Sequence, residues 1–516
     1  MFIDARTLPQ NFTVEADVCI IGGGAAGITL ARELSNGRRK VVLLESGGFE
    51  YDVGTQALYA GEVIGVAYVP LEADRLRFLG GSTNHWQGSC RPFDALDLAD
   101  WPFGLEVLEP YYRRASEVCQ LGGDTFELQD WTVSEALPLA LPADSRLKSG
   151  LFVYSPPTRF GTVYRHDLET AADLTVYLFA NVVQIDSNRE ASTVTGLQLA
   201  CLNGKRFRAR ARHYVLAAGG IENVRLLLNS NRVQPGGLGN GNDLVGRYFM
   251  DHANVPGAAT ILADASRPEL NFYDHHLVRG HIVEGYFSAS DELRREEHLP
   301  PFAIGIRPMG AGIQGGVGNV SLPAPLRRLL SDRANNALNF YLLRLQERLQ
   351  APVDWVYEHM WRTPPGTFFT EYGCGPPPDP RSRVTLSNAI DALGMRETRL
   401  DWRLPADFER TMYRAHELLG QELGRAGLGR LRIESPTTTG QHPMEHMSQG
   451  SHHMGTTRMH TDPRLGVVDA DARIHGIDNL FVAGSSVFPS YACDDPTFTI
   501  VALALRLSDH LKSLSS

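Results

Sequence analysis

Hydrophobic and polar positions change period several times along this chain of 516 residues. Val18 to Ile21 is a short unbroken apolar run, the pattern of a strand buried on both faces. Gly22-Gly23-Gly24-Ala25-Ala26-Gly27 follows, then an Ala/Leu-rich stretch that predicts a helix to about Leu34. "KVVLLES" is a second apolar strand, ending in Glu45. "ARHYVLAAGGIENVRLLL" (Ala211 to Leu228) repeats the order of strand, small-residue turn and helix. "IDNLFVAGSSVFPS" (Ile477 to Ser490) adds one more strand, closed by Gly484-Ser485-Ser486.

Strand, G-x-G-x-x-G, helix, strand and a terminal acid together predict a dinucleotide-binding βαβ unit. Gly22 permits the tight turn, Gly24 lets the backbone approach a pyrophosphate, and Gly27 allows close helix–strand packing. The free N–H groups and positive dipole end of the helix face the phosphates. Glu45 is placed to accept from ribose hydroxyls. The later pieces are spread over the whole chain, which suits a large flavin better than a compact NAD domain.

Between these pieces the texture changes. "TVYLFANVVQIDSN" and "TVTGLQLACLNGKRFRARARHYVL" alternate apolar and polar residues, like a β-meander inserted into the nucleotide domain. "HIVEGYFSAS", "TPPGTFFTEYG" and "SRVTLSNAID" predict strands, and "ADFERTMYRAHELLGQELGRAG" predicts an amphipathic helix ending at Gly427. "GCGPPPDPRS" reads as a rigid loop and "QPGGLGNGND" as a flexible one. The fold class is α/β. A discontinuous Rossmann-like FAD-binding domain is expected from residues 1–100, 160–254 and 436–516. A substrate domain is expected from 101–159 and 255–435, its antiparallel sheet roofing a pocket.

Composition narrows the function. The chain is too long for one core, and 43% apolar content suits a folded protein. A formal charge of −10 argues against a nucleic-acid partner, which needs a basic excess. It permits a cationic substrate without implying one. The six cysteines are scattered and none fall at CxxC spacing, as in a reducing compartment. No apolar run is long enough for a membrane span, and the polar, acidic start does not read as a signal peptide. A cytoplasmic location is expected.

"GGSTNHW", "GRYFMDH", "HHMGTTRM" and "NLFVAGSSVFPSYACDDPTFTIVALALRLSDHL", after the βαβ start, carry a resemblance over nearly the whole chain. The chain resembles the glucose–methanol–choline (GMC) FAD-dependent oxidoreductases, in the bacterial branch near pyranose oxidases and C-glycoside oxidases. The resemblance implies FAD and a p-hydroxybenzoate-hydroxylase-like two-domain fold. It also implies oxidation of a CH–OH group to a carbonyl, with hydride passing to flavin N5. His452 stands at the histidine of the family's H-x-x-G-T motif, which makes it the base. His453 is one position off, expected behind the site or turned away. Gly455 and Thr456 would let the chain pass close to the isoalloxazine. Asp495, aligned on Pro496, stands where relatives have Asn. An amide donates and accepts, whereas an ionised carboxylate only accepts. Asp495 would then hold His452 as imidazolium, bind a substrate ammonium, or stay protonated; a helix N-cap is the structural alternative. His85 aligns with a histidine that carries a covalent flavin link in pyranose oxidases; a buried, hydrogen-bonded histidine without the bond is preferred here. Asn84 and Trp86 are expected in the same cleft. The resemblance also assigns Gly81, Ser82, Val183, Ala218, Gly484, Ser485, Pro496 and Thr497 to the cofactor.

A metal site is the alternative reading of His442, His446, His452 and His453. Pro443 breaks a helix there, no cysteine joins, and the segment has no regular period, so no metal is expected. The substrate is expected to be a small-molecule alcohol: a sugar, aminosugar or polyol. Asp494 and Asp495 tilt the reading toward an aminosugar with a primary hydroxyl, of aminoglycoside type. A neutral sugar or glycoside competes, as does a flavoprotein of altered chemistry or a non-catalytic binding role. No CxxCH haem motif exists, so electrons would leave to oxygen or to a separate redox partner.

Overall fold

The computed structural model describes residues 1–35, 37–134, 136–262, 268–308, 367–405, 408–433 and 447–514. The first sheet runs, in spatial order, Phe2–Asp4, Leu174–Leu178, Val41–Leu44, Thr13–Ile21, Arg206–Leu216, Val194–Ala200 and Asn181–Ser187. The first five strands are parallel and the last two pairings antiparallel. Leu480–Val482 also pairs in parallel with Arg206–Leu216.

This arrangement explains the two textures in the sequence. Val41–Leu44 lies inside the parallel part and is buried at every residue. Arg206–Leu216 carries both patterns in one strand. Its first residues, Arg206 to Ala209, pair with the antiparallel meander and alternate buried with exposed. Its last three, Tyr214 to Leu216, lie between Thr13–Ile21 and Leu480–Val482 and are all buried. The meander therefore continues the nucleotide sheet rather than forming a separate insert.

The second sheet is antiparallel, in the order Gly429–Ile433, Ala253–Leu262, Thr367–Cys374, Phe302–Pro308, His281–Ala289, Leu147–Tyr154 and Ser89–Cys90. Ser448–Gln449 pairs with its Ala253 end. The sheet thus draws Ser89–Cys90, Ala253 and Ser448–Gln449 from segments or boundaries expected on the nucleotide side. The "SRVTLSNAID" strand, Arg383–Ile390, does not join this roof. It forms a third sheet with Arg396–Trp402, which in turn pairs in parallel with Gly61–Gly65.

The helix Leu105–Val118 also departs from the expected division. It packs on the C-terminal helix Thr497–Ser513, not on the antiparallel sheet. Tyr112 stacks on Phe498 at 5.2 Å, its hydroxyl meets that of Thr499 at 3.0 Å, and Arg114 pairs with Asp509 at 2.6 Å. Periodicity shows that a helix has a face to bury, but not which partner covers it. The C-terminal helix is enclosed between this helix and Ala25–Leu34, which accounts for its nearly continuous apolar sequence. The helix Phe408–Arg425 buries Met412, Ala415, Leu418, Leu419 and Leu423, and Gly427 follows it with φ +66°, as the pattern predicts. All six cysteines are free thiols. Among the described residues, no helix is long and apolar enough to cross a membrane.

Candidate active site

The turn after the strand Thr13–Ile21 needs its glycines for space. Gly22 has φ +109°, and a Cβ there would meet the Ala217 carbonyl oxygen at 2.5 Å. A Cβ on Gly27 would lie 1.9 Å from the Gly22 oxygen, so this glycine seats the helix under the turn. Gly24 differs: a Cβ there would meet nothing within 4 Å, because it faces an open cleft. The same is true of Gly219 and Gly484 on neighbouring turns.

The cleft encloses about 640 Å³ and runs from this turn to His452. Of the residues assigned to the cofactor by sequence, Gly22, Gly24, Glu45, Gly81, Ser82, His85, Ala218, Gly484, Ser485, Pro496 and Thr497 line it. Gly27 lies beneath the turn instead. Asn84 does not face the cleft. Its amide donates to the Leu79 and Gly81 carbonyls at 3.1 and 3.0 Å and braces the loop. Val183 points the other way along its strand, toward Leu58, Ala200 and Leu393, and Val182 takes the cleft position. A one-residue error in a strand exchanges its faces. Gly455 and Thr456 sit behind the wall: the Thr456 hydroxyl bonds the Gly220 carbonyl at 2.5 Å, and Gly455 is packed against Tyr248.

Glu45 accepts the Gly23 N–H at 2.8 Å and the Gly47 N–H at 2.7 Å. It ties the glycine turn to the end of the second strand and keeps lone pairs for a ribose. Arg75 and Arg77 also line the cleft, held to the buried Glu222 at 3.6 and 3.2 Å. The open cradle at Gly24, Gly219 and Gly484, with an acid at one end, fits a bound dinucleotide. Burial lowers the pKa of His85 to about 4, so its ring is neutral. Trp86 lines the same wall and donates its indole N–H to the Thr158 carbonyl at 3.0 Å.

At the far end of the cleft, His452 Nε2 lies 3.2 Å from Asp495 Oδ1. The N-cap position of the final helix falls on Pro496, so Asp495 stands one residue before the cap. Burial alone would lower the His452 pKa. Asp495, by charge and hydrogen bond, together with Asp251 and Asp494, outweighs that and raises it. The preceding residue, Ser451, has φ +62°, in the left-handed region that costs a non-glycine residue energy. Asp251 holds this backbone: it accepts the Ser451 N–H at 3.1 Å and the His452 N–H at 2.7 Å, and the Tyr68 hydroxyl donates to it as well. On the other side, His452 Nδ1 meets His252 Nδ1 at 2.6 Å, and His252 Nε2 meets the Ala492 carbonyl at 2.7 Å.

His453 is buried. Its Nε2 pairs with Asp74 and meets the Tyr68 hydroxyl at 3.1 Å, while its ring also borders the cleft. Burial works against the charge of Asp74, yet His453 prevails and lowers its pKa. Asp494 differs from the sequence reading. Its side chain is 0% exposed, absent from the cleft wall, and 3.6 Å from Arg91. Burial raises its pKa well above the usual carboxylate range. Only Asp495 of the pair faces the cleft, so the acidic contribution expected from Asp494 is not on the substrate side. Glu371 of the antiparallel sheet lines the cleft instead, beside Asn254 and Gln449. Sequence reasoning did not assign Asp251, His252, Tyr68 or Glu371. The signal for the first two was "YFMDH", where two adjacent ionisable residues end an apolar run. His442 and His446 lie outside the described residues. Among the described residues, no group of three or more His, Cys, Asp or Glu side chains could hold a metal ion.

Two family descriptions match this chain: FAD dependent oxidoreductase over residues 17–236, and GMC oxidoreductase over residues 378–504. The large subunit of fructose dehydrogenase from Gluconobacter japonicus is 23% identical, across 97% of this chain and 98% of that protein. A 6'''-hydroxyparomomycin C oxidase from Streptomyces lividus is 26% identical, across 96% and 91%. Among solved structures, a formate oxidase from Aspergillus oryzae RIB40, studied for FAD modification, superposes with a TM-score of 0.62. It is 16% identical over 98% of this chain and 99% of that one, a likeness of fold. The two matched segments hold the glycine turn and the Asp495 end of one continuous cleft, and the full-length relatives span both: together they support the GMC family of FAD-dependent oxidoreductases for this chain.

Proposed function

We propose that the protein oxidises a CH–OH group of a sugar, aminosugar or polyol to a carbonyl, with His452 taking the hydroxyl proton. The observation that carries this reading is the His452–Asp495 pair, 3.2 Å apart, at the end of the cleft that starts at the glycine turn. Alcohol oxidation removes a proton and a hydride. When bound along the cleft, FAD supplies the acceptor for the hydride. The chain supplies the rest. Gly22, Gly24, Glu45, Gly484 and Thr497 hold the cofactor. His452 Nε2 receives the proton as the O–H bond breaks. Asp495 stabilises the imidazolium that results. The antiparallel sheet contributes Asn254 and Glu371 to the wall of the same cleft. His85 is assigned to the flavin wall without a covalent bond, so acid denaturation of the holoprotein should release FAD.

The preferred substrate is an aminosugar alcohol of aminoglycoside type, oxidised at a primary hydroxyl. Two cleft carboxylates, Asp495 and Glu371, support it, since acids in a partly desolvated site attract ammonium. The paromomycin-derivative oxidase among the relatives points the same way. A neutral sugar is the second reading, favoured by the fructose dehydrogenase relative. The electrons then pass to oxygen or to a separate redox partner. Anaerobic mixing of the holoprotein with paired amino and hydroxy sugars, followed by flavin absorbance, tests both levels. Bleaching by an alcohol supports oxidation, and faster bleaching by the amino member supports the aminosugar. No bleaching by any sugar or polyol overturns the reading in favour of altered chemistry or binding. Readmitting oxygen, or adding a dye, separates the two acceptors.

A further inference from the structure

The contact between two histidine rings at the base of the site restricts where protons can sit. The Ala492 carbonyl can only accept, so His252 Nε2, 2.7 Å away, must carry a hydrogen. Burial and the neighbouring His452 lower the pKa of His252 to about 3, so its ring is neutral and its Nδ1 holds a lone pair. That lone pair points at His452 Nδ1 from 2.6 Å. The short contact is attractive only if His452 Nδ1 carries a hydrogen and donates it.

We propose that His252 is a positioning residue that keeps a proton on Nδ1 of His452, so that Nε2, facing Asp495, is the one ring atom able to take the substrate proton. The inference rests on the reading of His452 as the base. Without His252, an ionised Asp495 would attract the single proton of a neutral His452 to Nε2, and the basic lone pair would then lie on Nδ1, away from the cleft. His252 forbids that tautomer, because it would set two nitrogen lone pairs against each other at 2.6 Å. When Nε2 gives up its proton, its lone pair and the Asp495 carboxylate face each other at 3.2 Å, with no hydrogen between them. A substrate hydroxyl proton entering there relieves that repulsion. In the step, the O–H bond breaks and its proton goes to Nε2, the O–H electron pair becomes the second C–O bond of the carbonyl, and the C–H bond breaks with its electron pair leaving as a hydride, which bound FAD would accept. The other groups facing His452 are Asp251 beneath its backbone and Asp494 at longer range, with His453 next in the chain.

The test compares two substitutions in the FAD-loaded protein. His252→Asn places an acceptor oxygen near the lost Nδ1, whereas His252→Phe keeps a ring and removes the acceptor. The first readout is the ring nitrogen shifts of His452 in protein labelled with 15N-histidine, assigned by comparison with His452→Gln. The wild type should show Nδ1 protonated throughout the titration, with Nε2 alone changing. His252→Phe should move the neutral-ring proton to Nε2, and His252→Asn should restore it to Nδ1. The second readout is anaerobic flavin reduction. His252→Phe should slow it by about 100-fold and move its acid limb to lower pH, because an acceptor that favoured the doubly protonated ring is gone. His252→Asn should recover most of the rate. A neutral His452 carrying its proton on Nε2 in the wild type overturns the proposal, as does an unchanged rate and pH profile in His252→Phe. If the Phe variant does not bind FAD, His252→Gln, which keeps a donor for Ala492 and lacks the Nδ1 acceptor, takes its place. Intact flavin reduction in His452→Ala would instead overturn the underlying reading of the base, and the nitrogen shifts would still report the tautomer separately.

Discussion

Asp251 Oδ1 accepts the backbone N–H of His452 at 2.7 Å, while its other oxygen accepts from Ser451 and Tyr68. A fully buried carboxylate thus holds a left-handed residue immediately before the proposed base. Asp251→Ala leaves two backbone donors and a tyrosine hydroxyl without their acceptor. The holoprotein should lose about 2 to 3 kcal/mol of stability, read by denaturant titration. Flavin reduction should fall further than stability explains, because His452 loses its backbone support. A variant with unchanged stability would show that the turn holds itself.

Asp495 lies 3.2 Å from His452, and the sign of its effect on the histidine follows from its charge. The Asp495 carboxylate favours the protonated imidazole and so raises the His452 pKa against the opposing effect of burial. The basic form is therefore scarce at low pH and appears as pH rises through that raised value. Asp495→Asn removes the negative charge. The acid limb of the flavin-reduction profile should move to lower pH, measured by anaerobic stopped flow. An upward shift would contradict the ion pair.

Gly22 and Gly24 should fail in different ways. Gly22→Ala places a Cβ 2.5 Å from the Ala217 carbonyl in a left-handed turn, so the protein should fold poorly or be strongly destabilised. Gly24→Ala meets nothing within 4 Å in the protein alone and should fold. Its methyl group occupies the cradle, so FAD content on purification should fall by about tenfold or more. Equal FAD occupancy in Gly24→Ala and the wild type would remove this residue from the phosphate site.

Glu371, on the strand Thr367–Cys374 of the antiparallel sheet, lines the cleft. Glu371→Gln keeps its shape and removes its charge. The preference for an aminosugar over its hydroxy counterpart, measured as a ratio of kcat/KM, should drop about tenfold, the equivalent of ~1.4 kcal/mol. The rate on the neutral sugar should change little. An unaltered ratio would leave Asp495 as the remaining cleft acid for an ammonium.

The nucleotide end of the site was legible because local chemistry defines it. Gly22 and Gly27 are constrained by backbone clearance, and Gly24 and Glu45 belong to the same strand–helix–strand unit, so their spacing carries the information. Even Val183 failed by a single position, since strand parity decides which face a side chain takes. Asn84 lies in the predicted loop but is turned inward, because its amide satisfies two carbonyls there.

By itself, the sequence determined the α/β class, the glycine turn, the amphipathic helices and the pairing of a histidine with a downstream aspartate. These depend on periodicity, on short-range sterics and on motifs whose spacing survives in one dimension. Tertiary structure alone decided that Leu105–Val118 covers the C-terminal helix, that Asp494 is buried beside Arg91 while Asp495 faces the cleft, and that His252 lies 2.6 Å from His452. The last pair is separated by 200 positions in the chain. Which nitrogen holds a proton depends on donors and acceptors brought together across such distances, and a hydrophobic pattern contains no record of that meeting.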